Sequence, residues 1–384
     1  MKRMTGVILS ILLLCALVPV GHAADAAPAI VLSAKSAVLM DQASGKVLFE
    51  KNSREKLFPA SVTKIMSLLL FVEAIEEHKL QLDDRVTATR EAVEKGGSQI
   101  WLKEGEQMTV DELLRATTIG SANDACTALA VHLAGSETAF VRQMNERAKQ
   151  LGMQNTVFEN CTGLDDDTET HLTTAYDIAL MSRALLSHEK IRDYTTVWMD
   201  SLRNGATQLV NTNKLVRFYN GTTGLKTGTT NKAGCCVSAS AQRDDMHLIA
   251  VVLHASSSAD RFADAKTMLD WGFATFESVM PQYDAAALHA VPVLRGIDRS
   301  VDPEKPQLQK LLLKTGEKEK LQTAVELAED VCAPVEKGQQ LGTLRVSLGG
   351  KTLAEYPLCA AVDVRERTLW DAFLRLFSAL RIRA

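Results

Sequence analysis

The sequence is poor in the patterns that most metal, thiol and nucleotide chemistry requires. Seven cysteines and eight histidines occur in 384 residues, without a Cys-x-x-Cys pair. His188-Glu189 is followed by Lys-Ile-Arg, so the zinc signature His-Glu-x-x-His is missing. No metal ion or other cofactor is expected. The phosphate-loop spacing Gly-x-x-x-x-Gly-Lys-Ser/Thr is not met around Gly221–Thr227, which rejects an NTPase. A Gly-x-Ser-x-Gly elbow is also lacking, and with it the usual Ser–His hydrolase signature. Basic residues are not in excess: 43 Lys+Arg face 47 Asp+Glu, a net charge of −4. That balance argues against a nucleic-acid partner. Beyond the N-terminus no apolar run reaches the roughly 18 residues of a membrane span, so a polytopic membrane protein is excluded.

What is present describes an ordinary globular chain: 46% hydrophobic and 23% charged residues, long enough for two or three domains. Lys2-Arg3, the apolar run Val7–Val20 and the small residues Gly21 and Ala23 read as a secretory signal peptide over residues 1–23. An uncut anchor is the alternative. Export permits disulfides, but six remaining cysteines do not make a disulfide scaffold. Buried free thiols are expected, with Cys332–Cys359 the pair to test first.

Residues 36–50 read as a hairpin turning at Asp41–Gly45. Ser61–Ile75 is apolar on every side, the pattern of a helix in the middle of a domain. Thr109-Val-Asp-Glu112 is a capping box, and helices follow over residues 122–134 and 174–186. Strands are expected at Thr222–Thr230, Cys235–Ala241 and Met246–Leu253, then a helix from about Arg261 to Phe276. Residues 24–278 are thus an α+β domain, an antiparallel sheet with a helical lobe. Short alternating runs over 279–365, such as His289–Leu294, Leu321–Leu327 and Gly342–Val346, read as a small all-β domain. Residues 366–384 form an amphipathic helix. Leu369, Phe373, Phe377 and Leu380 lie on one face with Trp370 and Leu376, and Asp371, Arg375, Ser378 and Arg383 lie opposite. The expectation is an in-plane anchor to a membrane surface; packing on the β domain or on another subunit is the alternative.

Hydrolysis without a metal needs an activated nucleophile, a base and oxyanion donors. Ser-x-x-Lys occurs at Ser53–Lys56, Ser61–Lys64 and Ser187–Lys190. The first and third are flanked by charges and should be solvated. Only Ser61–Lys64 opens an apolar helix, where a spacing of three puts both side chains on one face. Burial would weaken the lysine's hold on its proton; a snorkelling lysine at a helix start is the alternative. Lys-Thr-Gly occurs at 226–228, on an expected strand, and at 314–316, which reads as a hairpin turn. Ser121-Ala-Asn123 is the one Ser-x-Asn, at a break between helices. It suits a proton relay and an amide clamp, or merely an N-cap.

Together the three motifs occur in order, 60 and 105 residues apart, a set shared by class A β-lactamases and penicillin-binding proteins. The chain resembles the low-molecular-mass penicillin-binding proteins that are serine-type D-alanyl-D-alanine carboxypeptidases, peptidase family S11. Phe58–Met66, Gly96-Gly-Ser98, Leu102–Glu106, Ser121–Ala125, Asn211-Thr-Asn213, Gly224–Thr229 and Arg261-Phe262 before the last helix all carry the likeness. The resemblance implies that Ser61 attacks the carbonyl between the terminal D-alanines of a peptidoglycan stem peptide and that Lys64 takes its proton. By the same likeness Ser121 relays a proton to the leaving D-alanine, Asn123 holds the substrate amide, and Lys226 supplies positive charge. Thr227 and Arg261 would receive the terminal carboxylate. Gly228 is part of the same substrate strand, and the N–H groups of Ser61 and Thr229 would form the oxyanion hole. β-Lactam antibiotics would acylate Ser61. Cys235-Cys236 departs from the family, which often has an aromatic residue there, and puts that strand's packing in doubt. A β-lactamase is disfavoured because Glu159 is followed by Asn-Cys-Thr rather than x-x-Leu-Asn. A transpeptidase or endopeptidase on the same scaffold, and an inactive peptidoglycan-binding protein, are the other readings.

Overall fold

A computed structural model describes residues 30–374. The expected signal peptide therefore lies outside the described residues, as do positions 375–384 of the expected anchor helix.

The first domain is built on one antiparallel sheet. Its strands in chain order are β1 (Ser36–Asp41), β2 (Val47–Lys51), β3 (Thr222–Thr230), β4 (Gly234–Arg243) and β5 (Met246–Ala255), paired in the spatial order β2-β1-β5-β4-β3. Strand β5 is buried along its length except at His254, because the sheet is covered on both faces; a continuous apolar run is what such a strand requires. One cover is the helix Ser258–Thr275, whose Gly272 lies so near the sheet that a Cβ there would stand 2.6 Å from Leu248 and 2.8 Å from Leu39. The expected start of this helix at Arg261 moves: Ser257 caps it by accepting from the Asp260 N–H, so Arg261 sits within the helix rather than before it.

Helices cover the other face. At the centre is α1 (Lys64–Glu76), preceded by a 3-10 turn over Ala60–Thr63. Ser61 therefore stands on a tighter turn than the α-helix start expected from spacing alone. The Thr109–Glu112 capping box is formed and opens α2 (Val110–Thr118). Next comes α3 (Asn123–Ala134), ended by Gly135 at φ +83°, the left-handed conformation that favours glycine. Thr174 caps the helix Ala175–Leu186.

Strand Phe276–Val279 runs across the expected boundary and pairs with Leu311–Lys314. Residues 280–366 beyond it form the all-β domain, with Leu321–Leu327, Gln340–Leu348 and Lys351–Cys359 in one antiparallel sheet. Lys314-Thr-Gly316 is a turn, as expected, but not a hairpin: its flanking strands belong to different sheets, since Leu311–Lys314 pairs with Phe276–Val279. Cys332 and Cys359 are free thiols on separate strands, exposed and half-buried, so the pair suggested by proximity in sequence is not joined. Ser53 was expected to be solvated and is instead buried, donating to Glu50 Oε2 at 2.6 Å. Residues 369–374 are helical, with Leu369, Trp370, Phe373 and Leu374 exposed. Among the described residues no helix is long and apolar enough to cross a membrane.

Candidate active site

The three motifs converge where β3 passes the start of α1. Lys64 is fully buried, and its Nζ donates to Ser61 Oγ (3.0 Å), Asn123 Oδ1 (2.5 Å) and the Thr162 carbonyl (2.9 Å). These three acceptors fill an ammonium's donor capacity. Burial pushes its pKa down to about 8, opposed by electrostatic attraction to Cys126, Cys161 and Asp124 nearby. An amine with that pKa is deprotonated often enough near neutrality to act as a base.

Ser121 lies between α2 and α3, where the Ala116 carbonyl accepts from both Gly120 and Ala122 N–H groups. This knot holds Ser121 at φ +62°, an unfavourable backbone for a serine. It turns the hydroxyl to meet Lys226, whose Nζ donates to Ser121 Oγ at 2.8 Å. Lys226 is buried, and burial, with the charges of Lys64 and Arg261, pushes its pKa well below the ordinary lysine value.

Gly228 explains how β3 comes so close. A Cβ there would be 2.7 Å from the Ser61 backbone N, 2.8 Å from the Pro59 carbonyl oxygen and 2.9 Å from Ala60 Cβ. Thr227 is buried on this strand, and Thr229, two residues further along, is exposed. Arg261 braces the strand from behind: Nη1 donates to the Gly228 carbonyl (2.9 Å), Thr229 Oγ1 (2.8 Å) and the Cys236 carbonyl (3.3 Å). Its charge thus reaches the cleft through the Thr229 hydroxyl.

Asn123 is occupied at both ends. While Oδ1 accepts from Lys64, Nδ2 donates to the Gly96 carbonyl at 2.7 Å, and its backbone N–H donates to the Ser98 carbonyl at 2.7 Å. In this state it positions the lysine. Sequence reasoning missed the loop that carries Thr162. Gly163 packs against the Ala60 carbonyl too closely for any side chain. His171, fully buried, contacts Thr63 Oγ1 through Nε2 (2.9 Å) and accepts the Glu159 N–H on Nδ1 (3.1 Å). Burial pushes its pKa down to about 4. The signal available in sequence was Gly163 beside Thr162, too common a residue to stand out.

Residues 22–257, which carry the three motifs, match the Peptidase S11 family, D-alanyl-D-alanine carboxypeptidase. The chain belongs to that family. Residues 279–366 of this carboxypeptidase match the penicillin-binding protein 5 C-terminal domain. It is 41% identical over 337 residues to the D-alanyl-D-alanine carboxypeptidase DacF of Bacillus subtilis, covering 87% of this chain and 86% of the relative. The solved penicillin-binding protein 5 of Haemophilus influenzae superposes with a TM-score of 0.76 at 29% identity, covering 88% of this chain and 98% of that one. Penicillin-binding protein D2 of Listeria monocytogenes, solved in the ampicillin-bound form, superposes at 0.59 with 32% identity over 64% of this chain and 100% of that one. The carboxypeptidase's Glu159 is held by the hydroxyls of Thr168 and Thr170. Cys235 and Cys236 are accommodated by a register shift between β4 and β5, and burial pushes the Cys236 thiol up to about 12.

Proposed function

We propose that the carboxypeptidase works through a Ser61 acyl-enzyme, with Lys64 as base. The observation that carries this is the buried Lys64 amine 3.0 Å from Ser61 Oγ, with its pKa lowered to about 8. Lys64 takes the hydroxyl proton as Ser61 attacks the carbonyl of a D-Ala-D-Ala terminus. The N–H groups of Ser61 and Thr229, brought together by Gly228, receive the developing oxyanion. Ser121, bonded to Lys226, passes a proton to the departing D-alanine. The terminal carboxylate binds at Thr227 and Thr229, with Arg261 behind. Its arrival also restores the charge of Lys226, because an anion favours the ammonium form that burial opposes. Water then releases the shortened stem peptide, and a β-lactam follows the same first step.

The domain assignment is part of the same reading: signal peptide 1–23, catalytic domain 24–278, β-rich domain 279–365 and anchor 366–384. The protein would act on the outer face of the bacterial cytoplasmic membrane. Exposed Leu369, Trp370 and Phe373 at the start of the last helix support the anchor. The test is incubation with a D-Ala-D-Ala-ended peptide and with a fluorescent penicillin. Wild type releases D-alanine and is labelled, and Ser61→Ala does neither. Labelling of the Ser61→Ala variant would overturn the assignment.

A further inference from the structure

We propose that Trp101 is a stacking platform for a sugar ring of the glycan strand that carries the stem peptide. The polymer's identity rests on the carboxypeptidase reading; the platform itself rests on the following geometry. Trp101 is 76% exposed and adopts φ +59°, a backbone that a bulky residue rarely takes. The residues on either side are fixed: the N–H groups of Ile100 (3.2 Å) and Leu102 (3.0 Å) both donate to the carboxylate of Asp124, which is buried in the first turn of α3. The Ile100 carbonyl accepts from Arg203 Nη1 at 2.8 Å. One buried carboxylate thus clamps the chain before and after the indole and leaves the ring in solvent. Such a costly arrangement persists where the surroundings over-determine it, commonly at ligand sites.

The indole borders an open groove of about 670 Å³ lined also by Ile100, Lys103, Glu104, Glu106 and Arg203. Its charges balance, and Arg203 is paired with Glu106 at 2.7 Å. A flat apolar ring within a neutral rim of donors and acceptors suits a hydroxyl-rich uncharged ligand better than an ionic one. Placement agrees: Ser98, whose carbonyl accepts from the Asn123 N–H, is three residues away, at most about 11 Å of chain. The four stem residues left on Ser61 extend up to about 14 Å, so the sugar at their far end lies outside the Ser61 cleft.

The test compares wild type, Trp101→Ala and Trp101→Phe in two assays. The first measures kcat/KM on a free D-Ala-D-Ala-ended peptide and on the same peptide attached to its disaccharide. The second measures binding of the peptide-free disaccharide by calorimetry, which needs no catalysis and so reads the platform even if neither peptide is cleaved. Trp101→Ala should lower kcat/KM on the disaccharide-linked peptide about fivefold to tenfold and weaken disaccharide binding to match, with the free peptide unchanged. Trp101→Phe should keep most of both. Equal losses on both peptides would make Trp101 a peptide contact, unchanged disaccharide binding would make it a protein-docking or merely exposed residue, and either result overturns the proposal. Absence of cleavage with intact, Trp101-dependent disaccharide binding supports the platform and refutes only the hydrolytic reading.

Discussion

Replacing Gly228 by alanine tests whether catalysis depends on the close passage of β3 over the Ser61 turn. The added methyl would meet the Ser61 N at 2.7 Å, the Pro59 carbonyl oxygen at 2.8 Å and Ala60 Cβ at 2.9 Å. None of these is the end of a flexible side chain, so the strand and the turn must part by about half an ångström to reach ordinary contact; overpacking of this kind costs about 1–3 kcal/mol. The larger effect falls on chemistry. Oxyanion donors work at about 2.7–3.1 Å from the developing charge, and losing one costs about 2.7–4 kcal/mol. Moving Thr229 relative to Ser61 by that half ångström should take one donor out of range. Acylation by benzylpenicillin should therefore slow about 100-fold or more, while circular dichroism and the melting transition show a folded protein. A folded Gly228→Ala variant that acylates within tenfold of wild type would refute the argument, because the two segments would then tolerate separation.

The base assignment predicts a pH dependence. Only neutral Lys64 accepts a proton, so with a pKa near 8 the acylation rate should rise about tenfold per pH unit below that value and level off above it; a profile flat between pH 6 and 8 would exclude Lys64 as the base. Asp124→Ala strips acceptors from the Ile100, Leu102 and Ala125 N–H groups. At about 1–3 kcal/mol per buried orphan donor, the melting temperature should fall by roughly 5 °C or more, and an unchanged value would show that the clamp contributes nothing. Deleting residues 366–384 should release the protein from membranes with activity on soluble peptide retained; persistent membrane binding would rule out the anchor.

Part of the candidate site was legible because it is local. Ser61 and Lys64 are three residues apart, and a helical turn of either kind brings such a pair to one side. The five strands and the helix after them announced themselves through β-branched and apolar runs, and the Thr109 box marked a helix start by the backbone groups it satisfies. Terminal details were less accessible. Ser61 stands on a 3-10 turn because β3 and the Gly163 loop crowd it, and neither neighbour is near it in sequence.

The ordered motifs and their apolar settings alone determined which hydroxyl, amines and amide could form one site, since those features follow from spacing and composition. Only the folded chain decided their protonation and occupation. Lys64 holds its proton less tightly than an ordinary lysine because it is wholly enclosed, Asn123 grips that lysine because Gly96 and α1 flank it, and Arg261 reaches the cleft through Thr229 because the strand stands in its way. These are consequences of distances between segments far apart in the chain, and no local pattern encodes them.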